Sequence, residues 1–248
     1  SSVYFAARLL LRWVREAYQE VDFTFECTVF RHKHPRDWEF VAHDLGCQPV
    51  LLDAAVIAPV KRQRAFWSSF NVLPLMPQTT QPVKCLEPGR WPLHKFRHTL
   101  PTIVASGDRS WNQRRVVEEW RGGRWMAGPL TISEVEVLMG YGRGCTKDVK
   151  LRGVTLSPQQ RWHGLGNSIH AGVLCHIVVS MLIARGYITR DDVRLKGQVW
   201  TINQDGPSAW AVLLQKAEHF RTRSRRALVV PEVPRLQMHA EEGLPMPS

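Results

Sequence analysis

Between Asp22 and Ala55 the chain alternates three kinds of segment, and this alternation limits the fold more than any other feature. Asp22 to Phe30 (DFTFECTVF) is β-branched and aromatic, the profile of a buried strand. Pro35 to Leu45 reads as a helix, opened by Pro in its first turn and closed by Gly46. Pro49 to Ala55 is a short apolar run that makes a second strand, and Arg64 to Phe70 looks like a third. Strand, helix, strand within about thirty-five residues is a βαβ unit, which implies a mainly parallel sheet covered by helices. In front of it, Phe5 to Tyr18 carries apolar positions at helical spacing, with Arg8, Arg12, Arg15 and Glu16 on the other face.

From Asn71 to Trp125 the texture changes to Pro, Gly, Arg and Trp with little periodicity, so this stretch is either a long functional loop region or a small irregular subdomain. Order returns at Thr131 to Met139, where Thr131 or Ser133 can cap a helix whose first turn holds Glu134 and Glu136. Ser157 starts a further helical region that runs on through Ala184 to a stop at Gly186. Its apolar run, Ala171 to Ala184, is interrupted by His176 and Ser180. It is shorter than the ~18–20 residues of a membrane span, so a buried helix is expected and no membrane partner. A last amphipathic segment covers roughly Ser208 to Arg226, and a Pro-rich tail follows. The layout is therefore core over 1–70, a basic region over 71–130, a helical return over 131–186, an added helical segment over 187–230, and a tail over 231–248.

The 248 residues carry 33 Lys/Arg against 22 Asp/Glu, a net charge of +11, with 44% apolar residues. Those values exclude disorder for the bulk of the chain. Lys61 to Trp125 alone holds +8 of the charge, together with Trp67, Trp91, Trp111, Trp120 and Trp125. Basic charge interleaved with flat aromatics suits a polyanion that carries bases, because phosphates attract Lys/Arg while rings stack. A hydrophobic core under a solvated basic face would give the same composition.

The five Cys lie twenty or more residues apart, so no C-x-x-C pair is present, and a reducing intracellular compartment is expected, the nucleus or an organelle. His32/His34 and His94/His98 lack further ligands at motif spacing, so no metal is expected. The chain opens Ser1-Ser2-Val3-Tyr4 without Met, inside what reads as a helix, as expected of a processed chain or a fragment.

Five segments, in order, resemble the C-terminal half of the cytosine-5 DNA methyltransferases, with spacing similar to the eukaryotic de novo branch. Phe25-Glu26-Cys27-Thr28-Val29 stands where that family has Glu-Asn-Val at a strand end. Pro49 to Ala54 followed by Arg62-Gln63-Arg64 resembles its strand and Arg-x-Arg motif. Arg97-His98-Thr99-Leu100-Pro101-Thr102 is similar to the segment leading out of the target-recognition region. Leu130-Thr131-Ile132-Ser133-Glu134 with Leu138-Met139-Gly140-Tyr141 resembles a helix and turn of the family, and Gly164 to Ile169 its terminal Gly-Asn-Ser motif.

The resemblance implies an α/β fold: a partial Rossmann-like methyltransferase sheet, a small irregular target-recognition region and C-terminal helices. In the family a Pro-Cys thiolate attacks carbon 6 of a flipped cytosine, and carbon 5 then takes a methyl group from S-adenosylmethionine. Glu26 matches the Glu that binds the ring, with a helix-capping or surface-paired Glu as the alternative. Arg62 and Arg64 match the Arg pair near substrate phosphate and cytosine O2, where a solvated charge cluster is the alternative. Asn167 and Ser168 match residues lining the cofactor pocket, and would serve equally in a plain loop. Arg97, Arg109, Arg114, Arg115, Arg121 and Arg124 fall where nucleic acid would be contacted, at base edges or at phosphates.

The Gly-rich turn and acidic residue that hold the cofactor are missing, and so is the Pro-Cys nucleophile: the five Cys follow Glu26, Gly46, Lys84, Gly144 and Leu174. Cys27-Thr28 also replaces Asn-Val. The chain alone is therefore expected to be inactive, with S-adenosylmethionine bound only if the missing half is supplied. One reading is a catalytically inert protein that binds DNA or RNA or scaffolds a ribonucleoprotein or other large complex. Another is a fragment of an active methyltransferase completed by an upstream half or a partner chain. A third is a subunit that reuses the fold for protein contacts. Half a sheet leaves an open edge strand, so a protein partner or the segment Ser208 to Arg226 is expected to cover it.

Overall fold

The computed structural model describes residues 2–18, 21–78, 80–105, 115–196 and 199–202. The segment Ser208 to Arg226, the tail, Arg109 and Arg114 lie outside the described residues.

The first helix, α1 (Ser2–Ala17), leads to β1 (Thr24–Thr28), α2 (Pro35–Leu45), β2 (Val50–Asp53) and β3 (Gln63–Ser68). Helix α2 forms as its flanks dictate: Pro35 opens it, and Gly46 adopts the left-handed conformation (φ 68°) that lets its N–H close the last turn. The sheet order is β1-β3-β2, with β3 antiparallel to both neighbours. This corrects the expectation of a mainly parallel sheet. Strands β1 and β2 run the same way across α2, but β3 inserts between them, and no ladder in the sheet is parallel.

Central position explains why β3 is the most deeply buried strand of this sheet. Side chains alternate between sheet faces, and Ala65, Phe66 and Trp67 are all buried, at 0%, 1% and 1% exposure. Ala65 and Trp67 join Leu11, Phe23, Trp38, Ala42 and Leu45 in a layer formed with α1 and α2. Phe66 joins Leu52 and the far larger cluster on the other side, built on Leu100, Ile103, Val135, Leu138, Trp162 and Ile177. The result is a three-layer α/β arrangement in which the third layer comes from the second half of the chain.

That half begins irregularly, with no strand or α-helix among the described residues from 71 to 89. Beyond it β4 (Arg90–Pro92), β5 (Val117–Arg121) and β6 (Arg124–Gly128) form a small antiparallel sheet, order β4-β5-β6. Next come α3 (Ile132–Leu138), the hairpin β7 (Lys150–Leu151) with β8 (Val154–Thr155), α4 (Pro158–Asn167) and α5 (Ala171–Ala184). The helical region expected from Ser157, continuing after Gly164-Leu165-Gly166-Asn167 through Ala184, is two helices, broken just after Asn167 where Ser168 leaves the helical conformation (φ −71°, ψ 157°). By length and apolarity residues 158–184 pass for a membrane span, yet Trp162, Leu165, Val173 and Ile177 of the two helices are buried in the core. Strands β9 (Val193–Lys196) and β10 (Val199–Ile202) pair as a hairpin where a helical segment was expected.

Candidate functional site

Two places hold the residues singled out by sequence. The first is the sheet face that carries Phe66. Residue pairing sets Glu26 opposite Phe66 and Thr28 opposite Arg64, so Glu26 and Arg64 share a face and stand on the diagonal of the β1–β3 ladder. Their side chains meet, Arg64 Nε to Glu26 Oε1 at 2.9 Å, both partly shielded from water. Residues 38 positions apart in sequence thus converge at one end of β1. Cys27 faces the opposite way. A pocket of about 520 Å³ opens there between α1, β1 and α2, lined by Glu26, Cys27, Phe25, Tyr4, Phe40 and Trp67 among others.

Arg62 has a different role from Arg64. It is 3% exposed, and its guanidinium donates to the carbonyls of Ile103 (3.0 Å), Gly166 (3.0 Å) and Ser168. Burial, with the nearby Arg64 charge, lowers its pKa to about 10. The Asp53 carboxylate fixes the loop before it by accepting from the N–H groups of Ala55 and Arg62. Arg62 is therefore a clamp between the β2–β3 loop and the end of α4, and among the described residues its terminal nitrogens point inward, not to a ligand surface.

The other motif segments close on the same point. Tyr141 Oη donates to the Ile169 carbonyl at 2.8 Å, and Ala171 N–H donates to the Met139 carbonyl at 2.9 Å. Trp162 and His163 reach the carbonyls of Val104 and Ala105. A Cβ on Gly166 would lie 2.4 Å from the Ala105 nitrogen, so only glycine lets α4 approach the Val104–Ala105 backbone so closely. Asn167 bonds His163 through its carboxamide, and Ser168 Oγ donates to the Leu165 carbonyl. Neither residue lines the 520 Å³ pocket or the larger groove described below. Both of these hydrogen bonds are local, within α4 and at its C-terminal end.

The second place is the β4-β5-β6 sheet. Gly122 and Gly123 (φ 55° and 80°) form the tight turn between β5 and β6, the conformation that two-residue hairpins require. Register then sorts the side chains. Trp91 faces Glu118 across β4–β5, and Trp120 faces Trp125 across β5–β6, with ring centroids 5.5 Å apart. Trp91, Trp120 and Trp125 therefore share one face, at 51%, 58% and 52% exposure. Arg90, Glu119, Arg121 and Arg124 lie on the other face, where Glu119 is paired with Arg121 and Arg90. Arg115 is exposed just before β5.

Beside the Trp face lies a groove of about 1150 Å³, lined by Trp91, Trp125, Glu118, Arg97, His94, His98 and the polar side chains of Gln78 and Gln81 among others. Arg97 Nε donates to His98 Nε2 at 2.8 Å, and its Nη1 lies 3.5 Å from His94 Nε2. Of the cations expected at nucleic acid, the structure thus places Arg97 in the groove, and Arg121 and Arg124 on the reverse side of the hairpin. These Trp residues are not among those that the sequence motifs single out. The palindrome Trp120-Arg121-Gly122-Gly123-Arg124-Trp125 held the signal, a Gly-Gly hairpin turn with like residues paired across it.

No protein-family model matches the chain, and no curated protein matches it. Many solved structures align with it, two methyltransferases among them. The Entamoeba histolytica methyltransferase EhMeth is 12% identical, with a TM-score of 0.47, over 65% of this chain and 62% of that one. The S. pombe Dnmt2 methyltransferase is 13% identical, with a TM-score of 0.42, over 67% of each chain. The chain thus spans less than two thirds of the length of the first of these.

Proposed function

We propose that this chain is a methyltransferase-like protein, catalytically inert by itself, which binds nucleic acid and serves as a binding or scaffolding subunit of a larger complex. The carrying observation is the contact of Glu26 with Arg64. These are the two residues that the cytosine-5 methyltransferase resemblance would set against one base, and here they answer each other at 2.9 Å. Inertness rests on sequence: no Pro-Cys, no Gly-rich cofactor turn, and Cys27-Thr28 in place of Asn-Val. Nucleic-acid binding is supported by the basic excess between Lys61 and Trp125, apart from Arg62, which is buried, and Arg64, which is paired with Glu26.

Mobility shifts with duplex DNA and with RNA across a salt series test this. Affinity should fall steeply as salt rises, and labelled S-adenosylmethionine should transfer no methyl group to either polymer. Binding without salt dependence would remove the electrostatic claim, and methyl transfer by the isolated chain would remove the inertness.

A second reading, part of an active S-adenosylmethionine-dependent DNA (cytosine-5) methyltransferase completed by an upstream half or a partner chain, is favoured by one observation. Among the described strands β1 pairs only with β3, so the edge next to Glu26 is open for another strand. Co-purification of a Pro-Cys-containing chain that restores methyl transfer to cytosine would decide for it.

A further inference from the structure

We propose that the tryptophan face of the β4-β5-β6 sheet and its adjoining groove bind single-stranded nucleic acid by stacking unpaired bases. The proposal rests on the reading of the chain as a nucleic-acid binder and specifies the form of the polymer. Three indoles are held about half exposed on one face of a small sheet. Solvated indole surface contributes nothing to the core, whereas flat rings on a sheet are a platform on which any base can stack. Trp91 and Trp125 stand on strands two apart, about 10 Å across the sheet, so two splayed bases can be engaged at once. The groove of about 1150 Å³ exceeds the usual range for a single small ligand.

The distribution of charge separates a single strand from a duplex. Backbone alternation sends Arg121 and Arg124 to the reverse face. The Trp face carries Glu118 instead, on strand β5 between Trp91 and Trp125, and among the described residues no cation pairs with it. A duplex presents phosphates outward and would meet three indoles and a carboxylate. A single strand presents base faces to the indoles and exocyclic amines to Glu118, while Arg97 at the groove wall is placed for a phosphate.

Anisotropy titrations of labelled single-stranded RNA, single-stranded DNA and duplex DNA, using the full chain, test this. Trp91→Ala, Trp120→Ala and Trp125→Ala should each weaken single-strand binding about 5- to 100-fold, with duplex binding changed much less. Trp125→Phe, which keeps a stacking ring, should recover most of the loss. Met126→Ala, exposed on the reverse face of the same sheet, should leave single-strand binding within about threefold. A parent chain whose single-strand affinity is unaffected by all three Trp→Ala changes, while it still binds duplex, overturns this proposal and leaves the broader reading standing. A parent chain that binds no polymer overturns both. Thermal melting of each variant separates lost binding from lost folding.

Discussion

Gly166 and Arg62 show how one residue can hold together segments a hundred positions apart. The Gly166 carbonyl accepts from Arg62, and its missing side chain admits the backbone of Val104 and Ala105. Alanine ordinarily favours a helix over glycine by roughly 1 kcal/mol. Here Gly166→Ala should instead destabilise by about 3 kcal/mol, because the new methyl meets backbone that cannot swing aside. Urea unfolding of the variant checks the sign: stabilisation would mean that the contact is loose. Shortening Arg62 to Met should cost a comparable amount, since three buried carbonyls lose their donor together.

Helix α1 has two apolar faces of opposite standing. Leu11 is buried against the sheet layer, while Val3, Phe5, Leu9, Leu10 and Trp13 are exposed. Phe5, Leu9 and Trp13 recur every fourth residue and form one outer stripe. Leu11→Ala should therefore lower stability by about 3 kcal/mol. Leu9→Ser and Trp13→Ser together should change it by only about 0.5 kcal/mol while reducing binding of a hydrophobic dye. Denaturant curves and dye fluorescence on the same samples read both. Elements of this kind were legible in sequence, because α1, α2, β1 to β3 and α3 each bury a face, and burial leaves its period in the apolar residues. The β5–β6 hairpin was not, because Trp120, Arg121, Arg124 and Trp125 are exposed on both faces and leave no alternation of apolar and polar. Strand order was also hidden: the apolarity of Ala65-Phe66-Trp67 says that β3 is central, but not which strand it separates from which. The interruptions in α5 were visible but unexplained. His176 Nε2 bonds the Leu73 carbonyl and Ser180 Oγ accepts from the Leu73 N–H, so two polar residues satisfy one buried backbone unit. Of the candidate site, the motifs singled out Glu26, Arg62 and Arg64 one by one, whereas the contact of Glu26 with Arg64 and the inward turn of Arg62 both depend on tertiary contacts that no local pattern records.

The whole molecule should be sensitive to acid through two buried imidazoles. Burial lowers His170 to about 4, with the Arg62 charge acting in the same direction, and burial lowers His176 as well. Well above pH 6.5 both rings are neutral folded or unfolded, and stability is independent of pH at these sites. As pH falls toward 4 the unfolded chain takes up protons that the folded chain refuses, so stability declines, by about 3 kcal/mol for His170 alone. Unfolding midpoints measured at neutral and at mildly acid pH should show this decline, and His170→Asn should flatten it; an equal slope in the variant would reassign the effect. The tryptophans divide the molecule in another way. Trp38, Trp67 and Trp162 are buried, whereas Trp13, Trp91, Trp120 and Trp125 meet solvent. Intrinsic emission from this chain should therefore contain a short-wavelength component that reports the integrity of the layers and a long-wavelength one that a soluble quencher removes first. A ligand seated on the small sheet would dim the second and spare the first, so one cuvette can distinguish occupancy from unfolding without a label.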